Sequence, residues 1–317
     1  MQRLEVISRF FLALASSLFL FLGGLALPPL GIVLFPFVVQ PVVVFGINYG
    51  IAGGIGILFI AMLVLAIFAG EELAFIYGIF ALAAGLLLKL LGRLKAIEHL
   101  VVGIAAALFA ATGLLLLRFF GSWSAMMQEF RSSISQQIDS AIGMHEKMGW
   151  PSESLQTLKE QSPQVIDTML QILPALLFMG LAFMVLANVL LICRRFPMRR
   201  DEWLSLPNLR EWKAPEPLVW GLIACGFSLF VPGLEGTRVA AMNLLLVLAA
   251  CYFAQGLAVI AFFFHKNNVP RFLRGITYIL IVFQQIFTLL VVGLGLFDLW
   301  ANFRRLGKDH LNPSQAA

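Results

Sequence analysis

Over 317 residues, 60% are hydrophobic and 12% are charged, with a net charge of +5. Ordinary soluble domains carry about 25% charged residues, and a water-soluble fold of this length would lack the polar groups needed to cover its surface. The apolar residues come in long runs rather than in period-two alternation, so the pattern predicts helical spans and argues against a membrane β-barrel.

In chain order, Arg3 and Arg9 precede an apolar run over 8–27. That opening imitates a signal peptide, but Pro28 and Pro29 lead straight into further apolar sequence, so the run is expected to be a retained first span. A span needs about 20 apolar residues, and on that criterion about nine segments qualify. They are 8–27, 30–45, 49–70, 74–92, 98–119, 168–193, 216–232, 239–264 and 272–299. The second is short and carries Pro36 and Pro41, which predicts a kinked, tilted or partial crossing. The seventh is short as well and lies between Pro215, Pro217 and Pro232, so a count of eight is the alternative.

Between the fifth and sixth spans, 121–168 is the one long polar stretch. Met127, Phe130, Ile134, Ile138, Ala141 and Ile142 recur there at helical spacing, with Gln128, Ser132, Ser135, Gln136 and Asp139 between them. The pattern is an amphipathic helix. Gly149, Trp150 and Pro151 end it, Ser152 suits the cap of a short second helix, and Ser162-Pro163 suits the start of the helix entering the sixth span. Such a hairpin either covers a pocket as a lid or lies on the membrane surface with its apolar stripe in the interface.

Lys and Arg decide the orientation. With the N-terminus inside, the inner side collects Arg3, Arg9, Lys89, Arg93 and Lys95, then the cluster from Arg194 to Lys213, then Lys266, Arg271 and Arg274. The outer side receives fewer, several of them in the long 121–168 stretch. This predicts a cytoplasmic basic loop at 197–215 and an extracytoplasmic hairpin. One feature disagrees, because nine crossings leave the basic tail of Arg304, Arg305 and Lys308 outside.

Candidate chemistry is sparse. His99, His145, His265 and His310 are scattered, Cys193, Cys225 and Cys251 form no metal or disulfide pattern, and no catalytic signature is present. The expectation is a non-enzymatic protein with no cofactor and no metal site. The basic residues cluster at the ends of apolar runs, which points to the bilayer rather than to nucleic acid. Glu71 and Glu72 lie in the turn between the third and fourth spans, and Asp167 lies at the outer start of the sixth. They are candidates for binding a small ligand, although a plain polar turn also accounts for the glutamates. Gly46, Gly50 and Gly54 repeat at four-residue spacing and Ala13 and Ser17 form a similar small pair, which predicts close helix packing. Gln255 and Gln284 fall at comparable depth on neighbouring antiparallel spans, where an interhelical hydrogen bond is expected.

The stretch LREWKAPEPLVWGL (209–222), with the run from Asn243 to Leu306, resembles the YybS-like family of bacterial predicted membrane proteins, a domain family of unknown function. That likeness implies a multi-pass protein of the bacterial inner membrane and brings no assigned activity. ALPPLGIVLFPFVVQPVVVFGINYGIAGGIG (26–56) is similar to the early region of the S components of energy-coupling-factor transporters. Those are six-helix membrane proteins that capture small molecules from outside. The resemblance implies a six-helix core at 1–196, while the 121–168 insertion, the three-helix region at 216–303 and the polar tail at 304–317 depart from the S-component plan. Two functions follow: capture or transport of a small molecule at the outer ends of the first six helices, or an assembly protein packing against other membrane subunits.

Overall fold

A computed structural model describes residues 2–149, 152–204, 209–231 and 235–304. All regular structure in these residues is helical. The helices are α1 (Gln2–Ala26), α2 (Pro28–Leu34), α3 (Gln40–Tyr49), α4 (Ile51–Phe68), α5 (Glu71–Leu90), α6 (Ile97–Phe120) and α7 (Trp123–Lys147). They continue with α8 (Ser152–Arg195), α9 (Arg200–Trp203), α10 (Leu218–Ser228), α11 (Glu235–Lys266), α12 (Arg271–Phe283) and α13 (Gln285–Ala301). Among the described residues seven helical stretches are long and apolar enough to cross a membrane, and up to eight if α12 and α13 count as one span. The chain divides into two compact units, 1–205 and 206–317, so the 197–215 stretch expected as one loop is shared between them. The expected helix break at Trp150 and Pro151, and the tail beyond Arg304, lie outside the described residues.

In the first unit, the second crossing is broken as its prolines predict. A 3-10 turn at Phe35–Phe37 separates α2 from α3, and the whole stretch Pro28–Tyr49 still has the length and hydropathy of a span. Gly46 and Gly54 meet the fourth span closely, since a Cβ on either would stand 2.6 Å or 2.9 Å from the side chain of Leu88 on α5. Gly50 differs from the expectation. It has φ +107 and no neighbour within 4 Å of a Cβ, so it ends α3 and starts α4 rather than packing against a helix. Only glycine adopts that conformation without strain. Apolar side chains on the outer faces, such as Phe19 and Phe68, are 74% and 83% exposed, as they are in a helix bundle whose solvent is lipid.

The hairpin at 121–168 also differs from the expectation. Instead of a short helix followed by a span, α8 is one helix of 44 residues with Pro163 and Pro174 inside it. Its length is about 66 Å, roughly twice the hydrocarbon thickness of about 30 Å. The polar stretch 152–167 therefore continues the sixth span outward. The helix α7 packs along it, burying Met126 and Ile142 and half-burying Phe130, Ile134 and Ile138. Arg131 of α7 forms an ion pair with Asp167 of α8, beyond Pro163. Packing on both sides of the proline holds α8 in line where the isolated sequence reads as a helix start.

In the second unit, α11 is a spine of 32 residues. A Cβ on Gly256 would strike the carbonyl of Val291, and one on Gly295 would strike the carbonyl of Tyr252. These pairings run in opposite senses, so α13 lies antiparallel against α11, backbone to backbone. Gly221 of α10 meets Leu248 of α11 at 3.4 Å for a built Cβ. The expected straight span over 272–299 is not formed: α12 and α13 meet at 103° at Gln284. The expected span at 216–232 contains an 11-residue helix, α10. At 28 residues a straight 272–299 helix would reach about 42 Å, well beyond the hydrocarbon layer, and the bend relieves that mismatch.

The Gly54→Leu substitution should lower the melting temperature in detergent markedly, because overpacking costs about 1–3 kcal/mol. Leu63→Ile, on the exposed face of the same helix, should leave it unchanged. Gly256→Leu should be worse than Gly54→Leu, since backbone rather than a flexible leucine stands in its way.

Candidate functional site

The acidic residues expected to line an outer pocket do not form a ligand set. Glu71 and Glu72 begin α5 after Gly70, whose φ of +98 makes the tight turn, and both are exposed. Carboxylates in the first turn of a helix complement its dipole. Asp167 is neutralised by Arg131. Among the described residues no three His, Cys, Asp or Glu side chains are grouped to hold a metal ion. The hairpin presents instead an open, neutral recess lined by Ser133, Gln136, Gln137 and Ser140.

Buried polar groups of the first unit gather at the broken second crossing. Ser17, fully buried on α1, donates to the carbonyl of Val38 at 2.8 Å and shares a 2.8 Å hydrogen bond with the Tyr77 hydroxyl. Asn188 of α8 donates to the carbonyls of Pro36 at 2.7 Å and Met184 at 2.8 Å, and Gln40 donates to the carbonyl of Asn188 at 3.0 Å. Ala13 is buried, one turn before Ser17. The small pair on α1 is thus a packing surface that also carries a hydrogen-bonding hydroxyl. Carbonyls at a helix break have no helical partner, and in lipid an unsatisfied one costs several kcal/mol. The side chains restore the missing donors.

The second unit contains a charged site that the sequence reading did not single out. Asp298 and Arg304 form an ion pair with both side chains fully buried: Nη2 donates to Oδ2 at 2.7 Å and Nε donates to the same oxygen at 3.2 Å. Arg304 Nη1 donates to the carbonyls of Arg210 at 2.6 Å and Trp212 at 3.0 Å. Gln255 of α11 donates to Asp298 Oδ2 at 3.2 Å and accepts from the Ala214 amide at 3.0 Å. Lys213 donates to the side chain of Asn302, which ends α13 in a left-handed conformation at φ 42. The 209–214 segment is therefore tied to α11 and to the end of α13 through both backbone and side chains. Tyr252, Ala214 and Val219 form the apolar core beside it.

This geometry corrects the expected Gln255–Gln284 hydrogen bond. Gln255 is engaged by Asp298 and Ala214, while Gln284 is exposed at the bend between α12 and α13. The levels of the helices explain the difference. Gly256 opposes Val291 and Tyr252 opposes Gly295, which puts Gln284 nearer the end of α11 than Gln255. The available signal was Asp298 itself, a lone carboxylate in the apolar run before Arg304. An ionisable residue in such a run calls for a named partner.

The model of the family described as "Predicted membrane protein (DUF2232)" matches residues 14–299. No curated protein matches the chain, and no solved structure matches it.

Removing one member of a fully buried pair leaves the other charge uncompensated, at a cost of about 3–5 kcal/mol. Arg304→Met should accordingly lower the thermal unfolding temperature of the purified protein strongly. Adding Asp298→Leu to it should recover much of the loss. Equal melting of Arg304→Met and the native chain would show that the pair adds no stability.

Proposed function

The chain belongs to the DUF2232 family of predicted membrane proteins, and from that premise we propose that it is a non-catalytic assembly protein of the bacterial cytoplasmic membrane, N-terminus inside. Its α7–α8 hairpin is a rigid arm on which another membrane subunit docks. The observation that carries this reading is the state of the hairpin. Its apolar stripe is spent on α8 and its two helices are joined by the Arg131–Asp167 pair. It is therefore not a lid whose stripe faces a cavity.

What the arm offers outward is the neutral face of Ser133, Gln136, Gln137 and Ser140. Neutral polar groups are cheaper to desolvate than charges, and the cores of protein interfaces are correspondingly depleted in charged residues. A helix pair already ordered before docking avoids the entropic cost of ordering it on contact. The capture reading needs Glu71, Glu72 and Asp167 around one ligand. Exposed glutamates in a helix turn and an aspartate held by arginine do not support it.

The test is native mass spectrometry of the protein released from nanodiscs. A protein subunit should be retained with the native chain and lost from the Gln136→Lys/Ser140→Lys double variant, while its circular dichroism stays native. A retained small molecule without a subunit would overturn the proposal, as would a subunit indifferent to the two lysines.

A further inference from the structure

The second unit contains an unusual pairing of ends. At its C-terminus α11 reaches His265 and Lys266, and the chain turns through Asn268 at φ 50 into α12. Arg274 of α12 reaches back to that end, donating to the carbonyl of Val269 at 2.7 Å and that of Phe264 at 3.2 Å. The ring of Tyr278 meets that of Phe264 edge-on at 5.8 Å. The polar side of α12 thus sits on the polar end of α11. Its other side is an exposed apolar stripe of Phe272, Ile276, Ile279 and Phe283, spaced for one helical face. Arg271 stands exposed at its start.

At Gln284 the chain turns by 103° and α13 runs back along α11. It does not continue past the far end of the spine. It stops at Asp298 and Asn302, level with the middle of the apolar stretch 239–264, and Arg304 is bonded there to the carbonyls of Arg210 and Trp212. Those carbonyls belong to the segment that leads into α10. Ala214 meets Gln255 and Gly221 meets Leu248, so the chain runs from there along α11 in the opposite direction, toward the N-terminal end of the spine.

We propose that α12 and α13 form a re-entrant element. The helix α12 lies flat in the membrane interface at the Lys266 end of α11, its apolar stripe on lipid and Arg271 among anionic headgroup phosphates. The helix α13 enters the apolar layer beside α11 and stops at the buried ion pair, so the element does not cross the membrane. Three observations fit together here. A helix nearly perpendicular to a spanning helix, amphipathic and at the level of its polar end, has the geometry of an interfacial helix. Backbone that is not helical at membrane depth is tolerated where protein covers it and supplies its hydrogen bonds; residues 209–213 are half-buried, Ala214 is buried, and Arg304 and Gln255 bond to the segment's backbone. An element that does not cross the membrane also removes the conflict between the basic tail of the sequence and the charge rule for topology.

The experiment uses the full chain with Cys193, Cys225 and Cys251 replaced by alanine and single cysteines introduced by Ser314→Cys, Met198→Cys or Gln136→Cys. Met198 is 91% exposed in the loop region and Gln136 is exposed on the hairpin. An impermeant thiol reagent applied to intact spheroplasts should treat Ser314→Cys like Met198→Cys and unlike Gln136→Cys, with all three labelled after permeabilisation. Labelling of Ser314→Cys together with Gln136→Cys would overturn the re-entrant path. Spin labels at Phe272→Cys and Phe283→Cys in nanodiscs provide a second measurement that leaves the buried pair untouched. Their depths by power saturation should be equal and shallow, whereas a spanning segment would separate them by about 16 Å.

Discussion

Each break in a helix within this apolar chain leaves backbone carbonyls without an amide partner, and lipid supplies none. The same remedy recurs in both units: a side chain from another element donates the missing hydrogen bond. At the broken second crossing, Ser17 serves Val38 and Asn188 serves Pro36. Around the 209–214 segment, Arg304 serves Arg210 and Trp212, and at the end of α11, Arg274 serves Val269. A hydroxyl or an amide suffices where one or two carbonyls are exposed. A guanidinium, with five donors in a fixed fork, suits two carbonyls and a carboxylate together.

Close backbone contact makes the charged version possible. With no Cβ on Gly256 and Gly295, α11 and α13 approach until carbonyls occupy the places where those atoms would stand. That approach brings Asp298 within reach of Gln255 and seals Asp298 and Arg304 from solvent. A buried ion pair is not a dependable source of stability, because desolvation can exceed the Coulombic gain. Its value here is positional. Arg304 fits where it does only if α13 ends at that level and 209–214 lies across it, so the network selects one arrangement of three elements.

The hairpin outside the bundle follows a different logic. It stands in water, so its apolar stripe needs a protein surface, and the outward continuation of α8 provides one. Leaving a large apolar side chain in water forfeits about 1.5–3 kcal/mol, which is why Met126 and Ile142 are buried against α8. The Arg131–Asp167 pair is half-exposed and adds little energy of its own. It defines the register of the two helices, and with it the face on which Ser133, Gln136, Gln137 and Ser140 are aligned.

The helical membrane class, the location of most spans, the fracture at Pro36 and the amphipathic α7 were all legible in the sequence, because each follows from local hydropathy, periodicity or proline chemistry. The close contact at Gly46 and Gly54 was legible for the same reason. Three features depended on elements distant in the chain. Gly50 belongs to a helix boundary rather than to a packing stripe, since spacing does not reveal which glycine takes a positive φ. The continuity of α8 through Pro163 depends on α7 lying beside it. Above all, the bend at Gln284 and the pairing of Asp298 with Arg304 depend on how far α13 slides along α11. Hydropathy identifies which residues leave water, but the partner of a buried charge is determined by helix register, and register is set only when the backbones of α11 and α13 meet at Gly256 and Gly295.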